Sequence, residues 1–339
     1  MQYILEQLKK LTAIPSPSGY TIEAARYAMD EFKRLGYEPK LTNKGCVLCS
    51  IGGEGNPILV SAHLDTLGGM VAEVKGNGRL RLTRVGGLQA NNVEAENAVV
   101  ITRFGKTYTG CMQMNDPSAH VNTEYADQKR DFKGMQLVLD ERVKNAEDVH
   151  KLGIAVGDYV CFDPRTVVTE SGYIKSRFLD DKLSVAILLA FAKHVNESGA
   201  KLNRRVDLFL SVYEEVGHGC AAGFPEDIQE VLCVDMGCVG EGLTCDEHQV
   251  SICAKDSAGP YDYETTTALI RIAKECGIDY AVDIYPSYGS DADAALSAGA
   301  DVKHALIGAG VYASHGYERS HVDGVKNTLE LLKAYLTRA

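Results

Sequence analysis

Three apolar runs in this chain each end in side chains of the kind that bind metals or move protons. Ile58-Leu59-Val60-Ser61-Ala62 ends in His63-Leu64-Asp65, the alternating Val206, Leu208, Leu210 and Val212 end in Glu214-Glu215, and Val231-Leu232-Cys233-Val234 ends in Asp235. A fourth pair, Asp180-Asp181, opens a stretch with helical apolar spacing. Taken singly, each has a plain explanation: a hydrogen-bonded surface histidine, a solvated acidic edge, a helix cap. Taken together they share one. In open α/β sheets the carboxyl ends of strands converge on the ligand crevice. Carboxylates brought that close raise one another's pKa values, and a divalent cation removes the cost. The chemistry indicated is metal binding.

Such residues need a sheet to aim them, and the surrounding sequence supplies it. Residues 2–12 and 21–35 carry apolar residues at helical spacing, and the second stretch stops at Gly36. Ile14-Pro15-Ser16-Pro17-Ser18-Gly19-Tyr20 between them is a loop, since each proline biases its predecessor away from helix. The run at 58–62 reads as a buried strand of a parallel or mixed sheet. Residues 70–164 are rich in glycine and in short alternating segments such as Arg79-Leu80-Arg81-Leu82-Thr83, which predicts a small β-rich domain. After Ser176 strands and helices alternate again. A helix is expected through 183–194, capped by Asp180 or Asp181, with others over 261–276, 291–298 and 324–337 and a strand at 303–308. The fold class expected is α/β, a mixed sheet flanked by helices. It comprises residues 1–69 and 165–339, interrupted by the β-rich domain at 70–164.

Composition narrows the function. The 339 residues carry a net charge of −11 with no basic run interleaved with aromatics, which speaks against a nucleic-acid partner or an anionic membrane surface. Nothing approaches the ~20 apolar residues of a membrane span. Charges run through the first ten residues where a signal peptide would be apolar, so a cytoplasmic location is expected. The 10 cysteines are scattered, several within apolar runs, and read as reduced, buried thiols. Cys46-Val47-Leu48-Cys49 has redox or zinc spacing, but no second pair follows it and the run reads as a strand.

The constellation resembles that of the co-catalytic metallo-exopeptidases, and among them the tetrahedral-shell, deblocking or glutamyl aminopeptidase family, some of whose members have been labelled endoglucanases. The likeness covers nearly the whole chain. It is carried by Pro15-Ser16-Pro17-Ser18-Gly19, by Ser61-Ala62-His63-Leu64-Asp65 with Gly68-Gly69-Met70-Val71, and by Leu152-Gly153-Ile154-Ala155-Val156-Gly157-Asp158. Asp180-Asp181-Lys182, Glu214-Glu215-Val216-Gly217 and Val234-Asp235-Met236-Gly237 complete it. The resemblance implies an aminopeptidase acting on peptide substrates. It also implies two divalent cations per subunit, zinc or cobalt with manganese equally suited to the ligands. The inserted domain would build dimers, and the dimers a dodecameric shell.

Carried over by resemblance, Asp180 bridges both ions, His63 and Asp235 complete one, and Glu215 with a C-terminal histidine completes the other. Asp65 would accept the free imidazole N–H of His63 and fix its tautomer. Family members commonly place the last ligand in an Arg-Tyr-Ile-His-like stretch, whereas Ala313-Ser314-His315-Gly316-Tyr317-Glu318-Arg319-Ser320-His321 stands here. Two histidines compete; counting back from Leu331-Leu332 favours His315, with His321 left to cap or pack against the last helix. Asp116-Pro117-Ser118-Ala119-His120 stands where the family has a proline-pair-His stretch, which implies that His120 reaches a neighbouring subunit's site. The turn around Ser290 and Asp291 matches a Gly-Thr-Asp-Ala-like turn and is expected to face substrate, although Asp291 could equally cap a helix.

Water shared by two ions loses its proton near neutral pH, and Glu214, adjacent in the chain to Glu215, is placed to accept that proton and return it to the departing amine. A metal-dependent carboxypeptidase or deacylase would share these ligands, but its helper domain usually reads as an α/β sandwich. A catalytically silent metal-binding shell would have no use for Glu214. A cellulase would need aromatic platforms, and the chain has no Trp.

Overall fold

The computed structural model describes residues 1–338. The chain divides into two compact units, one made of Met1–Asp65 and the chain from Arg165 onward, the other of Thr66–Pro164.

The first unit is built on a 12-stranded mixed sheet. Four strands at its centre, Val206–Ser211, Ile58–His63, Glu230–Val234 and Lys303–Tyr312, lie side by side and parallel. The first three are buried along their whole length, which is why Ile58–His63 and Glu230–Val234 read as near-continuous apolar runs; Val206–Ser211, read as alternating, is buried on both faces as well. Their register sets Ser211 beside His63, Cys233 beside Ser61 and Val234 beside Ile307. The segments after Ser211, His63 and Val234 therefore leave the sheet at one edge. Beyond the parallel core, Lys303–Tyr312 pairs antiparallel with the short strand Glu318–His321, which pairs in turn with Tyr173–Ser176.

The helices form where the apolar spacing placed them: Gln2–Ala13, Ile22–Arg34, Tyr263–Cys276, Asp291–Ser297 and Val322–Thr337. The longest, Leu179–Ser198, is buried on nearly every face of its first three turns, the signature of a core helix. Its start differs from expectation. Neither aspartate caps it: Phe178 precedes it in a left-handed conformation, and Asp180 and Asp181 keep non-helical dihedral angles. The fully buried Lys182 donates to Leu11 O and Ile14 O, at 2.8 and 2.7 Å, closing the carbonyl end of Gln2–Ala13.

The second unit is a closed barrel in the order Gly68–Val74, Leu80–Val85, Met135–Leu139, Thr107–Met114, Asn97–Ile101, Tyr159–Phe162. Its interior is apolar, with Val71, Leu80, Leu82, Val100, Met112, Leu137 and Val160 buried. Closure removes the free edges an open sheet of this size would expose. All ten cysteines are free. Cys46 and Cys49 are buried, and burial pushes their thiols up to about 11 and about 12, leaving them inert packing groups. No helix among the described residues is long and apolar enough to cross a membrane.

The core packs without slack around one strand end. A Cβ on Gly308 would stand 1.6 Å from Asp235 O, so only glycine lets the Lys303–Tyr312 strand pass there. Gly308→Ala is expected to lower stability by at least about 1–3 kcal/mol through overpacking, read from the denaturant midpoint. An unchanged midpoint would contradict this close approach.

Candidate metal centre

At the sheet edge the three strand ends and the start of the buried helix come together. His63 closes its strand, 1% exposed, and its Nδ1–H donates to Asp65 O at 2.9 Å. Nε2 of the ring turns into the site, where Asp180 Oδ1 stands 3.0 Å away and Glu214 Oε2 3.6 Å away. The other oxygen of Asp180 faces a second imidazole: Oδ2 is 3.4 Å from His315 Nε2, which is also 3.7 Å from Glu215 Oε2. One aspartate thus presents an oxygen to each of two histidines. Ligand atoms of His63, Asp180 and Glu215, and likewise of His63, Asp181 and Asp235, lie within 4.8 Å of one another.

These acids are held by the backbone around them rather than by bases. Asp65 Oδ1 accepts from Glu214 N–H at 3.1 Å, and its Oδ2 from Ser18 Oγ at 2.5 Å and Glu215 N–H at 3.3 Å. This corrects the expected role of Asp65. Its carboxylate is 3.6 Å from His63 Nδ1, and it is the Asp65 carbonyl that takes the imidazole proton. The carboxylate fixes the Glu214-Glu215 turn instead. Asp181 lies behind the site, its Oδ2 accepting from His63 N–H at 3.1 Å. Glu318, a residue to which sequence reasoning gave no role, is 2% exposed and accepts from Asp180 N–H at 3.1 Å and His315 N–H at 3.0 Å.

The charges do not balance. Burial, with further carboxylates nearby, pushes Glu214 and Glu215 well above the usual carboxylate range and Asp235 up to about 7. Asp180 moves the other way: burial opposes its charge, but His315 and His63 on either side hold its carboxyl below the ordinary value. Burial would lower His63, and the acids around it, Asp180 and Glu214 foremost, outweigh that and raise it. Among the described residues, Glu215 Oε1 is buried with no hydrogen-bond partner. An orphaned carboxylate oxygen and several acids crowded around two imidazoles are what cations relieve. The donor set of imidazoles and carboxylates suits borderline divalent ions. The residues present fit a metal.

The remaining expected site residues divide. His315 joins the cluster in a left-handed conformation, φ 63°. His321 does not: its Nδ1 accepts from Asp323 N–H as the N-cap of the last helix, and its Nε2 donates to Ser171 O. A cavity of about 350 Å³ opens beside the cluster, lined by Asp180, Glu214, Glu215, Asp235 and His315 on one side and by Tyr288, Ser290, Asp293 and Ser297 on the other. Ser290 lines it while serving as helix N-cap in a capping box with Asp293. Asp291 corrects the expectation of a substrate-facing acid. It is 3% exposed and turned inward, accepting from Ser61 Oγ, Ser211 Oγ and Cys220 N–H at 3.2, 2.5 and 2.9 Å. The acid of this turn that lines the cavity is Asp293. His120 is exposed in the loop between Thr107–Met114 and Met135–Leu139 of the barrel unit.

A family model described as M42 glutamyl aminopeptidase matches residues 45–331. A Bacillus subtilis (strain 168) protein named "Putative aminopeptidase YhfE" is 41% identical over 98% of this chain and 96% of its own. Aminopeptidase APDkam598 from the archaeon Desulfurococcus kamchatkensis superposes with a TM-score of 0.89 at 24% identity, over 100% of this chain and 95% of its own. The Pyrococcus horikoshii TET1 peptidase, which can assemble into a tetrahedron or a large octahedral shell, does so at 0.86 and 23%, over 99% and 100%.

If a cation belongs in this cluster, binding must stabilise the folded chain. Adding Zn²⁺ or Co²⁺ to chelator-stripped protein is expected to raise the unfolding temperature, by roughly 4 kcal/mol of stability at a thousandfold excess over Kd. No shift with either ion would contradict the fit.

Proposed function

The chain belongs to the M42 glutamyl aminopeptidase family, and on that footing we propose that it is a metal-dependent aminopeptidase that removes N-terminal residues from peptides by activating water between two divalent cations. The observation that carries this reading is Asp180, whose two oxygens face His63 and His315 separately. Asp180 would be shared between the ions, His63 and Asp235 would complete one, and Glu215 and His315 the other. Zinc and cobalt suit the ligands, and manganese does too. Bound there, the cations supply Lewis acidity, making water nucleophilic near neutral pH and offsetting the negative charge that develops on the scissile carbonyl oxygen.

The chain's own residues do the rest. Glu214 is no ligand in this scheme. Its half-buried carboxylate lines the cavity beside the ligand set, where it can take a proton and give it back. It accepts the proton of the attacking water and returns it to the departing amine nitrogen. Asp65, gripping the Glu214 and Glu215 N–H groups, keeps that carboxylate beside the ligand set. His63 Nδ1–H, spent on Asp65 O, leaves Nε2 free as a donor atom. The cavity wall of Tyr288, Ser290, Asp293 and Ser297 would receive the N-terminal residue.

A closed barrel as the inserted unit favours this class over the carboxypeptidases and deacylases, whose helper domain is an α/β sandwich. By likeness to the shell-forming TET1 peptidase, we also propose that the chain works as a homo-oligomer built from dimers through the barrel unit. The exposed His120 loop would then be offered to a neighbouring copy.

Metal-reconstituted protein is expected to shorten peptides with free N-termini one residue at a time and to leave acetylated ones intact, with products read by mass. Glu214→Gln is expected to retain metal and lose about 10²–10⁴-fold in kcat. Near-normal turnover in that variant would remove Glu214 from the mechanism.

A further inference from the structure

Both histidine-facing oxygens of Asp180, and His315 itself, depend on backbone that regular secondary structure does not hold. Asp180 has φ −73° and ψ 102° within the first turn of Leu179–Ser198, where N–H groups have no partner four residues back. His315 sits in the left-handed region, as does Ala313 two residues before it. One side chain meets both. The strand Glu318–His321 pairs with Tyr173–Ser176 so that Glu318 stands opposite Ser176, four residues before Asp180 and three after His315. Its two carboxylate oxygens divide between the two segments, Oε2 on Asp180 N–H and Oε1 on His315 N–H.

We propose that Glu318 is a positioning residue for the metal centre, a carboxylate clamp that holds the Asp180 and His315 backbones at the spacing needed for metal binding. The assignment rests on the metal reading of the cluster. The choice of residue supports it. Strand pairing at this position is a backbone matter and would be served by an apolar side chain, which at 2% exposure would also avoid the cost of burying a charge. A carboxyl group at that depth, beside Asp180, is costly to bury. What it alone offers is two acceptor oxygens in a rigid fork, matched to two N–H donors from different segments. Gln offers one acceptor and turns an NH₂ toward the other N–H. Asp keeps the charge but is one methylene too short to span both.

The test is Zn²⁺ affinity by competition with a chromogenic chelator, alongside thermal unfolding of stripped and metal-loaded protein, for wild type, Glu318→Gln and Glu318→Asp. Both variants are expected to bind Zn²⁺ about 10–100-fold more weakly. Stripped Glu318→Gln is expected to unfold at or somewhat below the wild-type temperature, because one backbone N–H loses its acceptor. Its rise in unfolding temperature on adding Zn²⁺ should shrink. A residue that merely supported the fold would instead lower stripped and loaded forms by the same amount, and that result would overturn the proposal. Wild-type affinity in either variant would overturn it as well. Absence of Zn²⁺ binding by the wild type would instead bring down the metal reading beneath it, a separate and recognisable failure.

Discussion

The fold answers to one electrostatic constraint: carboxylates of Asp65, Asp180, Asp181, Glu214, Glu215, Asp235 and Glu318 are gathered at one sheet edge with the imidazoles of His63 and His315. Left to themselves such groups would take up protons or push the strand ends apart. The parallel core prevents the second outcome. Leu208, Val60, Leu232 and Ala305 stand side by side on adjacent strands in one apolar core with the buried helix Leu179–Ser198. The apolar core thus holds together acids that would otherwise separate.

A second layer of hydrogen bonds refines what the strands begin. Asp65 holds the Glu214-Glu215 turn, Asp181 holds the His63 backbone, and Glu318 holds Asp180 and His315. In each case a carboxylate accepts from a backbone N–H of the group that faces the site, so the ligating atoms stay free. This accounts for so many buried acids. On the proposed reading some would meet cations, and the others would fix the first set in place, where looseness of a fraction of an ångström weakens binding and catalysis.

Much of this was legible before the structure. Apolar runs ending in His63, Glu214-Glu215 and Asp235 betray buried strands whose ends converge, because a parallel strand has no solvent face and must be apolar throughout. Glycine-rich alternation after Gly68 betrays the barrel. For the two histidines, counting back from Leu331-Leu332 favours His315 and leaves His321 to the last helix, and His315 does join the cluster while His321 caps that helix. What escaped were contacts set by long-range register. Asp291 and Asp293 are two residues apart at the start of one helix; which faces the cavity depends on Ser61 and Ser211 standing below. Glu318 had no local signal at all, since its partners lie three and 138 residues away.

The central claim, that this acid-rich edge exists to hold two divalent cations shared by Asp180, is tested most directly by anomalous X-ray diffraction from crystals of the chain loaded with Zn²⁺ or Co²⁺. The expected result is two anomalous peaks flanking the Asp180 carboxylate, one beside His63 and Asp235 and the other beside Glu215 and His315. Crystals that show no peak in the cluster, or ions only at other positions, would contradict it.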